Sequence, residues 1–144
     1  KDLAEFDAAA FDGLVIPGGV GAAKNLCTYA FDGPDCTINP DTAQAIQTMH
    51  QAGKPIGALC IAPVIVAKVL EGVTVTAGQD AATAANIRAM GGSHAPTQQG
   101  EIAVDQANKI VTTPCYMLES RVDQIGEGAY NLIKAMLELM QAAD

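Results

Sequence analysis

From Phe11 to Gly19 the chain reads FDGLVIPGG, a short run apolar on both faces that ends in two glycines. Such a run predicts a buried strand closed by a tight turn. The signature returns at KPIGALC (54–60) and VTVTAG (73–78). Between these runs the period becomes helical. NPDTAQAIQTMHQAG has Asn39 as N-cap, Pro40 at the first helical position and Gly53 to close it. IAPVIVAKVLEG (61–72) predicts a helix starting straight after the second strand, and DAATAANIRAMGG (80–92) predicts another. EIAVDQANKIVTT (101–113) reads as two short strands about a turn at Gln106 to Asn108. From about Leu118 to Ala142, the apolar positions Ile125, Ala129, Leu132, Ile133, Met136, Leu137 and Met140 make one stripe on an outer helix. The twenty residues after Gly19, rich in Gly, Asp, Asn and Cys, predict an elaborate loop.

Strands apolar on both faces, alternating with helices, predict a mostly parallel sheet covered on both sides. The fold class is α/β, and residues 1–144 form a single layered domain, long enough to bury roughly 70% of the unfolded surface. A content of 49% hydrophobic and 17% charged residues fits a globular protein, and the net charge of −8 argues against nucleic acid or an anionic membrane as main partner. The uncharged run from Pro55 to Ala67 is shorter than the ~20 residues a bilayer requires. KDLAEFD at the start shows no signal peptide, although a chain opening on Lys leaves room for a lost upstream segment.

The four cysteines, Cys27, Cys36, Cys60 and Cys115, follow no CxxC spacing, and His50 and His94 are the two histidines. The pattern predicts no metal site and no cofactor, and a reducing cytoplasm suits these cysteines better than a disulfide framework. GGVGAAKN (18–25) lacks the GK[ST] ending of a phosphate loop, since Asn25 follows Lys24.

In open α/β sheets ligands bind beyond the carboxyl ends of the strands, here Gly18-Gly19 and Cys60. A nucleophile on a strand-to-helix elbow needs small neighbours two positions away, and Cys60 has Ala58 and Ala62. A helix starting at Ile61 aims its N–H groups at the sulfur and favours the thiolate. The Ile61 N–H, with that of Gly19, forms a candidate oxyanion hole. The competing reading is inert packing, the usual fate of a cysteine in an apolar run. Cys27 is a candidate exposed loop thiol, and Cys36 and Cys115 read as loop and core residues. His94 in GGSHAPT, placed in a loop after a helix, is the candidate base. His50, near a helix end, suits a surface role, and Glu71, Asp80 and Glu101 read as solvated surface.

LVIPGGVGAAKNL, GKPIGALCIAP and NKIVTTPCYML together resemble the enhancing-lycopene-biosynthesis proteins, or isoprenoid biosynthesis glyoxalases. These belong to the class I glutamine amidotransferase-like superfamily, beside the parkinsonism-associated deglycase and the intracellular protease-like proteins. The resemblance runs through essentially the whole chain. It implies a flavodoxin-like three-layer sandwich, a nucleophile elbow at Cys60, oxyanion donors at Gly19 and Ile61, and a pocket histidine at His94. It puts Gly18, Lys24 and Asn25 at the pocket, and it implies a homodimer. The implied activity is a cofactor-independent glyoxalase III-like lyase converting methylglyoxal or glyoxal to hydroxy acids, with a link to isoprenoid biosynthesis.

TPCYMLESR lacks the His-x-Glu pair of a glutaminase, and Ile61 stands where the protease-like relatives have a histidine. Full-length members of the resembled family begin with further strands and a glutamate that contacts the cysteine. The chain starts after them, so the expectation is a fragment whose missing part is supplied by a separate N-terminal polypeptide or simply lies upstream; a complete chain would leave the sheet without a central strand. The alternative function is a non-catalytic redox or stress-response protein with an oxidisable Cys60.

Overall fold

A computed structural model describes residues 1–141. The elements run β1 (Leu14–Ile16), α1 (Tyr29–Asp32), α2 (Pro40–Gln51), β2 (Ile56–Leu59), α3 (Ala62–Val69), β3 (Thr74–Val75), α4 (Ala81–Ala89), β4 (Ser93–His94), β5 (Ala103–Asp105), β6 (Ile110–Thr113) and α5 (Val122–Gln141). Four strands form one sheet in the order β1-β2-β6-β5, parallel except for β5, which is antiparallel to β6. β3 and β4 pair in parallel as a separate ribbon. Side chains tie that ribbon to the main sheet: Thr112 Oγ1 accepts from the Thr76 N–H at 2.9 Å, and Asp105 Oδ2 from the Thr74 N–H at 2.8 Å.

The layers follow from strand alternation. A Cβ added at Gly57 would lie 2.6 Å from Met136 Sδ and 2.7 Å from Leu132 Cδ2, so α5 rests directly on that face of β2. Ile56 and Ala58 point the other way, into a core with Ile46 and Met49 of α2 and Ile65 of α3. This is the flavodoxin-like sandwich, with a mostly parallel sheet between helices. α2 starts as its residues dictate: Asn39 Oδ1 accepts from the Thr42 N–H at 3.0 Å, and Pro40 occupies the first turn. Asp80 caps α4 the same way through Thr83.

The structure departs from the sequence pattern in several places. The segment after Gly19 is a chain of single turns: a π-helical turn over Ala22–Leu26, then α1, then a 3-10 turn over Gly33–Asp35. It closes on itself where Cys27 bridges Ile38 and the Asn39 N–H donates to Leu26 O at 2.8 Å. The last helix begins at Val122, after a separate 3-10 turn over Cys115–Met117. Its buried line is Gly128, Leu132, Met136 and Leu139, while Ile133 and Leu137 are 44% and 52% exposed. Gly128 sets that rotation, because a Cβ there would meet Thr113 Oγ1 at 2.7 Å. Ala142, the expected helix end, lies outside the described residues.

Among the described residues the main sheet runs without a gap from β1 to β5, unlike the expected sheet lacking a central strand, and β1 is one of its edges. The Leu14 N–H donates to Pro55 O at 3.1 Å, and alternation turns the N–H and C=O of Val15 outward. A groove lined by Leu3, Leu14, Ile16, Leu26 and Ala45 runs beside that edge. No helix among the described residues is long and apolar enough to cross a membrane.

Candidate active site

β2 delivers Cys60 to the carboxyl edge of the sheet in a left-handed backbone, φ +61°. For a residue with a Cβ this conformation carries strain of order 1–3 kcal/mol. Three features hold it. The Cys60 N–H donates to Thr113 O at 3.1 Å, one step beyond the strand ladder. α3 begins two residues later with Ala62 and Pro63 buried. On the third side Gly18 presses in: a Cβ there would lie 2.4 Å from Leu59 O and 3.0 Å from the Cys60 Cβ. Only glycine, at φ +89°, allows this approach.

Gly19 shares that φ, but a Cβ on it would meet nothing within 4 Å, so open space lies beside it. Its carbonyl accepts from the Ala22 N–H at 3.0 Å and turns the chain into the π-helical segment. Lys24 and Asn25 stand exposed on that segment. α3 has no side-chain cap, because Ile61 offers no acceptor; Pro63 brings no N–H and the Val64 N–H donates to Ile61 O at 3.1 Å, which leaves the Ile61 and Ala62 N–H groups next to Cys60 in the chain. The structure thus brings Gly18 against Cys60 and follows Cys60 with the N-terminus of α3.

His94 is placed differently from the expected loop. It ends β4, half-buried, and its Nε2 accepts from the Ala77 N–H at 3.0 Å. Burial, and secondarily the Arg88 guanidinium, hold its pKa below the usual 6.5. The ring is therefore neutral near pH 7, with its proton on Nδ1, and it ties β4 to the end of β3. No hydrogen bond among the described residues joins it to Cys60. His50 Nε2 lies 3.2 Å from Asn108 Oδ1, well away from the elbow in the fold. Asp80 serves as the α4 cap, which lowers its pKa, and Glu101 Oε1 accepts from the Gln98 N–H at 2.6 Å.

Cys115 is the residue that the sequence pattern misplaced. It is a half-buried thiol at the end of β6, with φ +46°. Burial raises its pKa first and the neighbouring Cys60 sulfur second, while a hydrogen bond from the Cys60 backbone pulls it partway back. The available signal was the matched ending of two runs, GALC and TTPC, each putting a thiol where a parallel strand stops. Cys27, expected as an exposed loop thiol, is buried and donates to Ala22 O at 3.5 Å and Ala23 O at 3.7 Å. Cys36 is buried as well, and its pKa is raised by burial and then by Cys27. Among the described residues no group of three His, Cys, Asp or Glu side chains is arranged to hold a metal ion.

No family model matches the chain. It is 46% identical over 147 residues to human "Glutamine amidotransferase-like class 1 domain-containing protein 3, mitochondrial", an alignment covering 96% of this chain and 55% of that protein. The chain thus spans about half the length of the curated relatives it matches. An Ehrlichia chaffeensis crystal structure titled "isoprenoid biosynthesis protein with amidotransferase-like domain" superposes with a TM-score of 0.88 at 33% identity, over 97% of this chain and 64% of that one. Drosophila melanogaster DJ-1beta shares the fold, with a TM-score of 0.54 at 17% identity over 94% of this chain and 66% of that one.

Proposed function

Starting from homologues that are glutamine amidotransferase-like class 1 domain proteins, we propose that Cys60 is the nucleophile of a cofactor-independent, glyoxalase III-like lyase acting on small 2-oxoaldehydes. The observation that carries this is the left-handed Cys60, held by Gly18 and followed by the uncapped start of α3. The substrate class follows the resemblance of the PGGVGAAKNL, CIAP and NKIVTTPCYML segments to the glyoxalase branch. The Ehrlichia neighbour's description supports a role beside isoprenoid biosynthesis.

In this chemistry the Cys60 thiolate adds to the aldehyde carbon of methylglyoxal, forming a C–S bond, and the carbonyl oxygen becomes an oxyanion. The Gly19 and Ile61 N–H groups are assigned to that oxyanion, with Lys24 and Asn25 at the pocket mouth. The hydrogen on the first carbon leaves as a proton and returns to the second carbon through an enediol. The first carbon is thereby oxidised to a thioester and the second reduced to an alcohol. Water cleaves the C–S bond, releasing lactate and restoring the thiol. The proton is assigned to His94, whose neutral ring suits a base but must release the Ala77 N–H to accept at Nε2.

Partners and compartment extend the same proposal. The open edge of β1 and its apolar groove suit an extended segment of a separate polypeptide adding one strand, and the greater length of the relatives supports this. A reducing compartment, cytosolic or, as the human relative's name suggests, mitochondrial, would keep the thiols reduced. The test is methylglyoxal consumption with lactate formation, comparing the protein with Cys60→Ala. Multiple turnovers that vanish in the variant are expected. Absence of turnover in both, or equal turnover in both, would overturn the assignment.

A further inference from the structure

The carboxyl edge of the sheet holds a second thiol for which the aldehyde chemistry has no use. β2 and β6 run parallel and adjacent, with Leu59 opposite Thr113. Cys60 follows Leu59 directly, and Cys115 follows Thr113 after one proline. The two strand ends are joined by the bond from the Cys60 N–H to Thr113 O. Both cysteines have left-handed backbones, φ +61° and +46°, and both are half-buried residues, unlike the buried Cys27 and Cys36. Paired strands lie about 4.8 Å apart and a disulfide spans Cα separations of roughly 4.4–6.8 Å; the register puts Pro114 opposite Cys60 and Cys115 one residue beyond it.

We propose that Cys60 and Cys115 are a redox pair in which a hydroperoxide oxidises Cys60 and Cys115 resolves it as a disulfide across the ends of β2 and β6. The Cys60 thiolate attacks one oxygen of hydrogen peroxide. The O–O bond breaks, hydroxide leaves, and the sulfur becomes a sulfenic acid. The Cys115 sulfur then attacks the Cys60 sulfur; the S–S bond forms, the S–O bond breaks, and water leaves with the Cys115 proton. Two electrons pass from the thiols to the peroxide. A small thiol reductant reverses the step by thiol–disulfide exchange.

The division of labour follows from the surroundings. Cys60 is followed by an eight-residue helix whose N-terminus favours an anion beside it, whereas Cys115 leads into a three-residue 3-10 turn. Burial and the Cys60 sulfur keep Cys115 protonated, and so slower with peroxide. Closing the disulfide protects Cys60 from irreversible oxidation and switches its nucleophile off. None of this depends on the identity of the aldehyde.

The test exposes the reduced protein to a few equivalents of hydrogen peroxide and maps unreduced peptides by mass spectrometry. A Cys60–Cys115 crosslink is expected, two hydrogens lighter than the thiol peptides and restored by dithiothreitol. In Cys115→Ser the crosslink disappears and Cys60 accumulates as sulfinic acid. Wild-type Cys60 passing to sulfinic acid while Cys115 stays a free thiol would overturn the proposal. So would a dominant Cys27–Cys36 crosslink. The wild-type map needs no variant to fold and no turnover, so its result is independent of the aldehyde assay.

Discussion

The carboxyl edge of the sheet and the folded loop between Gly19 and Asn39 each hold two cysteines, in opposite settings. In the loop, Cys27 and Cys36 are 4% and 3% exposed, and the Cys27 thiol spends itself on the carbonyls of Ala22 and Ala23. At the sheet edge, Cys60 and Cys115 are half-buried and lifted out of the strand direction by positive φ. The residue type is the same, and so is the presence of a second sulfur nearby. What separates the regions is whether the backbone presents the thiol to solvent or folds over it. The reactivity proposed for Cys60 is thus assigned to the strand ends.

The largest effect should come from removing one thiol from each region. Cys60→Ser is expected to lower methylglyoxal turnover by about a thousandfold or more. Cys27→Ser should leave turnover within about twofold, but should lower stability by roughly 1–2 kcal/mol through a polar group set in a buried site. Turnover assays and urea melts on both variants check the pair, and a Cys27→Ser as inactive as Cys60→Ser would erase the distinction.

Next come the glycines that build the elbow. Gly18→Ala puts a methyl 2.4 Å from Leu59 O at φ +89°, which should destabilise the protein by about 2–4 kcal/mol and displace Cys60. Gly19→Ala has the same φ but empty space, so backbone strain of about 1 kcal/mol is expected alone. Equal melting midpoints for the two would contradict the packing described at Cys60.

A smaller effect belongs to the loop's exit. Asn39→Ala removes the cap on Thr42 and should cost about 1 kcal/mol in thermal stability, with the Cys60 alkylation rate unchanged. A slower Cys60 in that variant would mean that the two regions are coupled.

What was legible in the sequence was local chemistry. Asn39, Pro40 and Gly53 announce α2, and Ala58-Leu59-Cys60-Ile61-Ala62 announces a strand-to-helix turn, because those residues act within a few positions of each other. Cys115 was legible only through the matched endings GALC and TTPC, since its neighbourhood is made by β6 lying beside β2, far away in the chain. His94 sits on a two-residue strand, too short to leave a period, and is fixed by Ala77 in the connection after β3. The single turns after Gly19 have no repeat to read. The rotation of α5, which leaves Ile133 and Leu137 outside, is set by Gly128 against Thr113.

The smallest effect is the pH dependence of His94. Its folded pKa lies below 6.5, so the native ring resists the proton that the unfolded chain accepts. Stability is fully present above pH 6.5 and declines as pH falls through the lower folded value. Melts at a series of pH values should show this slope in the protein and a shallower one in His94→Gln. An unchanged slope would contradict the buried neutral ring.

The most direct test of the contrast between the two regions is the order in which the four thiols alkylate. Native protein near neutral pH is pulsed with iodoacetamide, quenched, unfolded, and mapped peptide by peptide. Cys60 is expected to react first, Cys115 later, and Cys27 with Cys36 only once the protein unfolds. Cys27 or Cys36 reacting as fast as Cys60, or Cys115 outpacing it, would contradict the claim that the sheet's carboxyl edge, with Cys60 at its centre, is the reactive region.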